Sequence, residues 1–569
     1  MNIRNIRNIR DIRDRHRLLF SVVLVTVLLM LTWAFIPVTF ESNDDAFLMS
    51  FLSGAKTGRP EADTVFNLFL WGKIVSSLYL LNAGIPWYPL VFSLLIALSL
   101  ITVCYCVVVS FPKWGGSLFC LLYFCMFSYY SVIFQYTVVS AYCGVAAASL
   151  LLTDQKAEDR KHVIGKNIMI FSFTFFAANL RKKVGVYLLL GNAVFIICLE
   201  ILRYFIKAAD RQKIKKMLFS FLTMCAAAGI AVVAHDIRYK TGEWETFQEY
   251  KSERVQFTDY AKLDYESNKD LFDKIGWSED FYELVKRWFF MDESVNAETL
   301  GQINEHNVKG SIRVGRSLLH EWFPAIEFQV KVWVLLLAFL LADAVIHREK
   351  RGRRSIVSFL WLFIWFAETQ YFGYSGRIIE RAFETWTLFA VVASVLGSAA
   401  ECRMEEDGKK YIAESIAIPV IFLALCVACT QYPSGGYRRA KAFSSARDAV
   451  KITQANMEDY VMEHPENIYI YGTSLPGEGD PWRVYKKGQP YNLMFWGGAF
   501  YNSPLYYAQL NRNGRDHLFT DDFFGDNVYF IARKEPDENL RNVMEEKFPG
   551  CTYEVTDEKD GFIVYKYLK

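Results

Sequence analysis

Eleven apolar stretches recur along this chain, at about 18–40, 88–111, 114–133, 135–153, 166–180, 184–203, 217–236, 328–346, 355–372, 382–400 and 411–430. A helix needs roughly 20 apolar residues to cross the hydrocarbon core of a bilayer. Backbone polar groups cannot be left unsatisfied in lipid, so stretches of this length predict an all-α polytopic membrane bundle of about eleven spans. Hydrophobic residues make up 53% of the 569 residues and aromatics 16%, yet mean hydropathy is only +0.13. Large polar segments must therefore lie between and after the spans. One further segment, 64–81, is apolar but carries Asn67, Lys73, Ser76 and Ser77. It reads either as a twelfth span or as a helix lying in the outer interface.

The positive-inside rule separates these readings. With the Arg-rich N-terminus inside and 64–81 not crossing, three basic clusters fall in cytoplasmic loops: Arg160, Lys161 and Lys166; then Lys207, Arg211, Lys213, Lys215 and Lys216; then Arg348, Lys350, Arg351, Arg353 and Arg354. If 64–81 crosses, they all move outside. The preferred solution makes residues 1–17 a cytoplasmic basic arm on anionic lipid heads and 18–430 the transmembrane domain, with outer loops 41–87 and 237–327. It leaves 431–569 as a small extracytoplasmic domain. The stretch 18–40 is too long for a signal-peptide core and lacks a small-residue cleavage site, so it reads as an uncleaved anchor.

A net charge of +2, with no basic stripe interleaved with aromatics, argues against a nucleic-acid partner. Most of the eleven cysteines lie in apolar stretches, and Cys551 stands alone in the C-terminal segment. No disulfide framework or zinc spacing is expected. That pattern fits a multi-pass protein of a bacterial plasma membrane. In the 237–327 loop, Ser267–Asp270 fits a capping box, and Ser278 precedes an amphipathic helix in GWSEDFYELVKRW. Beyond the linker 432–436, we expect helices near 438–463, 504–511 and 537–547. Strands are expected at 467–471, 528–532, 552–556 and 562–567, which makes a small α/β domain.

Three polar clusters carry chemistry. Glu41-Ser42-Asn43-Asp44-Asp45 follows the first span. Adjacent carboxylates at an interface need solvent, a partner or a function, and like charges can raise one pKa into the range of a general base. The plainer reading is a polar helix end. Arg377 and Arg381, four residues apart, share one helix face and can grip a phosphate, or else anchor the interface. Arg181, Lys182 and Lys183 break the positive-inside rule in a very short outer turn. They either snorkel to lipid phosphates or bind an anionic head group.

The order of an anchor, an acidic outer loop (SNDDAF), an interfacial helix (NLFLWGKIVSSLYLL) and IPWYPL leading into the next span resembles the GT-C superfamily of membrane glycosyltransferases. That group includes polyprenyl-phosphate-sugar-dependent mannosyltransferases and aminoarabinose transferases. The resemblance covers the architecture of residues 18–430. It implies that Asp44 or Asp45 activates the acceptor hydroxyl, with Glu41 and Asn43 nearby. It also implies that Arg377, Arg381 and Arg181, with Lys182 beside them, hold the donor phosphate. The implied partners are a polyprenyl-phosphate sugar donor, membrane lipids and a cell-envelope acceptor. No divalent-metal set can be matched, so dependence on Mg or Mn stays open.

Cytoplasmic loops of at most about 15 residues leave no room for a nucleotide-sugar domain. An outer-face sugar must then arrive on a lipid phosphate. Two other function classes compete. A transporter or flippase of lipid-linked glycans predicts a midplane site with broken helices. A non-catalytic scaffold or sensor would make the outer domain the working part.

Overall fold

The computed structural model of the chain describes residues 16–110, 120–121, 123–124, 128–153, 160–205, 211–259, 263–306, 392, 396, 436–475, 479–484 and 489–569. Among these, four helices are long and apolar enough to cross a membrane: Arg17–Phe35, Trp87–Ser110, Arg160–Leu180 and Arg211–Tyr239. Tyr136–Leu152 is shorter and almost wholly buried. Its Ala141 and Ala146–Ala148 let neighbouring helices approach closely. Leu18, Met30 and Phe35 on the first helix, and Leu222, Val233 and Ile237 on Arg211–Tyr239, stand exposed as lipid-facing residues would. The expected spans at 328–346, 355–372 and 411–430 lie outside the described residues, as do all but two residues of 382–400 and half of 114–133.

Hydrogen bonds tie one rim of this bundle together. The Leu68 amide donates to the Asn179 carbonyl (2.8 Å), and Asn67 Nδ2 donates to that of Leu180 (2.7 Å). Tyr239 Oη accepts from the Thr64 amide (2.6 Å) and donates to the Thr64 carbonyl (2.9 Å). Strand β1 (Thr39–Phe40) pairs in parallel with β2 (Ile133–Phe134). The C-terminal ends of three long helices thus meet the N-terminal ends of Trp87–Ser110 and Tyr136–Leu152 at the loop 36–68. The helix within 64–81 is Phe69–Leu81, 13 residues, or about 20 Å, short of the roughly 30 Å hydrocarbon core.

The Arg160–Leu180 helix reverses through Arg181 and Lys182 into a π-helical turn, Lys183–Leu188, and then Leu189–Phe205. Gly185 makes this reversal possible, because a Cβ there would stand 2.1 Å from the Ala178 backbone nitrogen.

The 237–327 segment is helical over Glu243–Asp259, Lys269–Ile275, Glu279–Lys286 and Ala297–His306. The capping box expected at Ser267 does not form. A 3₁₀ turn, Glu266–Asn268, precedes the helix instead, and the Ser267 amide donates to Asp264 (2.9 Å). Asp264 thus takes the amide that a capping box would give to Asp270. Ser278 does cap Glu279–Lys286, its Oγ accepting from the Phe281 amide (3.3 Å).

The C-terminal segment opens with the helix Gly436–Glu463. It contributes β3 (Ile468–Tyr471), β4 (Leu493–Phe495), β5 (Val528–Ala532), β6 (Thr552–Lys559) and β7 (Phe562–Leu568), in the order β4-β3-β5-β7-β6. The first three strands are parallel; β7 is antiparallel to both its neighbours. Pro504–Arg512 and Glu538–Lys547 are capped by Ser503 and Asp537. Strand β4 is the element without a sequence expectation. Three residues are too few to show a period of two.

This sheet packs on the loop 36–68. Phe51 stacks on Phe500 with centroids 4.6 Å apart. Buried Lys56 donates to the carbonyls of Pro490 (3.0 Å) and Leu493 (2.6 Å), and burial brings its pKa down to about 8.

Gly185→Ala should lower stability by about 1–3 kcal/mol or more, because the added methyl meets backbone and not a flexible side chain. A thermal melt of the detergent-solubilised protein checks this, and an unchanged midpoint would contradict the packing of the reversal.

Candidate active site

The acid pair opens the helix Asn43–Leu52, where carboxylates favour the positive helix end. The two acids differ. Asp45 has no exposed surface; its Oδ1 accepts from Tyr88 Oη (2.8 Å) and from the Tyr136 amide (3.2 Å). These donors stand at the starts of two apolar helices, so Asp45 locks the loop 36–68 to both. Asp44 is half-buried and lies within electrostatic reach of Arg254. Asn43 begins the same helix. Glu41 turns elsewhere, with its carbonyl accepting from Arg447 (3.0 Å) and its charge acting on that guanidinium.

Three cations gather on this side. Arg181 lies over the Tyr136 ring, 5.5 Å from its centroid, with Nη1 3.5 Å from Tyr136 Oη. Phe66 stacks on the same ring at 5.8 Å. Lys251 Nζ donates to the Val65 carbonyl (2.7 Å). Arg254 is 1% exposed; it donates to the Gly498 carbonyl (3.1 Å) and lies 5.6 Å from the Trp288 ring centroid. Its buried Nε has no hydrogen-bond partner among the described residues. A guanidinium carries five donors, so Arg254 has donors to spare for an anion. The Lys182 charge acts on Asp236, near the end of Arg211–Tyr239. Arg377 and Arg381 lie outside the described residues.

The electrostatics bind these groups into one site. Lys251 keeps part of its stem exposed, but its ammonium is enclosed. Burial first, then repulsion from Arg254 and Arg181, brings its pKa down to about 7. Burial also lowers that of Arg254, against the fields of Tyr250, Asp259 and Asp44. Buried like charges are costly, and a bound anion would lower that cost. Among the described residues no group of three or more His, Cys, Asp or Glu side chains is arranged to hold a metal ion.

Lys251 and Arg254 were not among the residues expected from sequence. Their signal is present on the helix Glu243–Asp259. Its buried residues are Trp244, Phe247, Tyr250, Arg254 and Phe257. Two cations sit on or beside an aromatic stripe at helical spacing, where an apolar residue is the ordinary choice.

No known family and no curated protein matches the chain. Among solved structures it is similar to the crystal structure of ArnT from Cupriavidus metallidurans bound to undecaprenyl phosphate. The superposition covers 96% of this chain and 97% of that one, at 10% identity and a TM-score of 0.43.

Any anion bound here favours charged Lys251. Raising the pH through about 7 removes that proton before binding, so affinity must fall. For a phosphodiester amphiphile, whose charge is constant in this range, one-proton linkage gives about tenfold weaker binding at pH 8 than at pH 6. Titration of the detergent-solubilised protein at both pH values checks this. Lys251→Arg should flatten the dependence, and a flat wild-type profile would contradict the role given to Lys251.

Proposed function

We propose that this protein is a glycosyltransferase that moves a sugar from a polyprenyl-phosphate-linked donor to an extracytoplasmic acceptor, a cell-envelope glycan or lipid, at a bacterial plasma membrane. The observation that carries this reading is the meeting of Asp44 and Asp45 with Arg181, Lys251 and Arg254 at one rim of an apolar helix bundle. A scaffold has no need of a buried cluster of like charges facing an acid. A transporter site is expected near the middle of the spans, not at their ends.

In the proposed reaction, Asp44 accepts the proton of an acceptor hydroxyl, and that oxygen attacks the anomeric carbon in line. The bond between that carbon and the phosphate oxygen breaks. The lipid phosphate leaves with the bond's electron pair, and Arg254, Lys251 and Arg181 stabilise its charge. Arg377 and Arg381 are proposed to complete that set. A single displacement inverts the anomeric configuration. Asp45, committed to Tyr88 and Tyr136, orients the helix that carries Asp44.

Transfer of radiolabelled sugar from a polyprenyl-phosphate donor pool to membrane acceptors tests this. Asp44→Asn should lower kcat by about 10²–10⁴, the usual worth of a general base, with donor affinity kept. Asp45→Asn should lower thermal stability as well as transfer, because two buried donors lose their charged acceptor. Full activity in Asp44→Asn would overturn the assignment.

A further inference from the structure

Trp288 occupies a position that backbone chemistry reserves for glycine. The helix Glu279–Lys286 ends in a Schellman motif: the Trp288 amide donates to the Val285 carbonyl (3.0 Å) and the Phe289 amide to that of Leu284 (3.2 Å). The residue between must be left-handed, and Trp288 has φ +70°. The preceding helix, Lys269–Ile275, ends in the same pair of bonds with Gly276 at φ +76°. The chain therefore uses glycine for this turn twelve residues earlier. A bulky side chain in this region is strained and needs a compensating reason.

The surroundings supply one. The Trp288 ring lies under the Arg254 guanidinium, 5.6 Å from centroid to Cζ, with Phe290 5.8 Å away on the same strip of chain. The turn also presses the Trp288 carbonyl against Gly497, where a Cβ would come within 1.7 Å of the oxygen. Phe289 forms a bridge with Gly497, and the next residue, Gly498, accepts from Arg254. The C-terminal sheet and the 237–327 segment thus close on Arg254 together.

We infer that Trp288 is a positioning residue: its ring and the Gly498 carbonyl fix the Arg254 guanidinium so that its remaining donors face the anionic group of the substrate. This rests on the proposed function. It also assigns the C-terminal segment a part in forming the site, since the Gly497-Gly498 turn supplies the second contact. Trp288→Gly isolates the ring, because glycine makes the turn without strain and leaves the Schellman bonds in place.

The experiment measures phosphodiester-amphiphile affinity, its pH midpoint, and sugar transfer in wild type, Trp288→Gly and Trp288→Tyr. The expected result for Trp288→Gly is about tenfold weaker binding, from the lost cation–π contact, with the same loss in kcat/KM. The pH midpoint should move upward as Arg254 relaxes away from Lys251, and Trp288→Tyr should restore most of both. A merely structural role would lower the melting temperature and leave the pH midpoint of the folded fraction where it was. Wild-type affinity and midpoint in Trp288→Gly would overturn the inference. Wild-type binding without transfer would overturn the glycosyltransferase reading while the affinity and midpoint comparison still decides the role of Trp288. Absence of both in wild type overturns both.

Discussion

A carboxylate with no exposed surface needs partners inside the protein, and Asp45 Oδ1 finds them on two different helices. Tyr88 Oη and the Tyr136 amide both converge on its Oδ1. Losing either donor leaves a buried charge short of compensation, which is among the more expensive defects a fold can carry. This requirement fixes where the loop 36–68 sits on the bundle. The position of Asp44, one residue away, follows from it. So does that of Tyr136, whose ring receives Arg181 on one side of the site and Phe66 in a stack.

The cation cluster is tolerated for a different reason. Lys251 and Arg254 are carried by a helix whose other buried positions are aromatic, so their stems pack as apolar groups while their heads meet carbonyls of Val65 and Gly498. Neutral acceptors do not cancel two like charges. The C-terminal segment docks beside them, with Gly498 accepting from Arg254. That docking includes the bidentate pair of Arg287 with Asp537 (2.7 and 2.9 Å) and the ion pair of Lys547 with Asp292. In the proposed function, this assembly holds the cations ready for an anion. The titration of Lys251 and the strain at Trp288 are two consequences of one arrangement.

Much of this architecture was legible in the chain. Apolar run length gave the helices at Arg17–Phe35, Trp87–Ser110 and Arg211–Tyr239, because a bilayer-length helix has few competing readings. The signal at Ser278 marked a helix start because capping is local chemistry. Ser267 misled, because Asp264 takes the amide that a capping box would give to Asp270. The acid pair and Arg181 stood out as charges placed where charge is costly. Lys251 and Arg254 did not, since they lie in a segment rich in acids where any cation reads as a solvated partner. Their burial is created by residues near 498, some 240 positions away, and no local pattern reports a contact of that separation. The left-handed turn at Trp288 was equally hidden, because the sequence places tryptophan where glycine would have announced it.

The most direct test is to image the protein in lipid nanodiscs with added polyprenyl phosphate by cryo-electron microscopy and to locate the phosphate. The account predicts density for it within hydrogen-bonding reach of Arg254, Lys251 and Arg181, with the isoprenoid tail leaving between the apolar helices. A phosphate seated away from these three side chains, or a site that stays unchanged at saturating lipid, would contradict it.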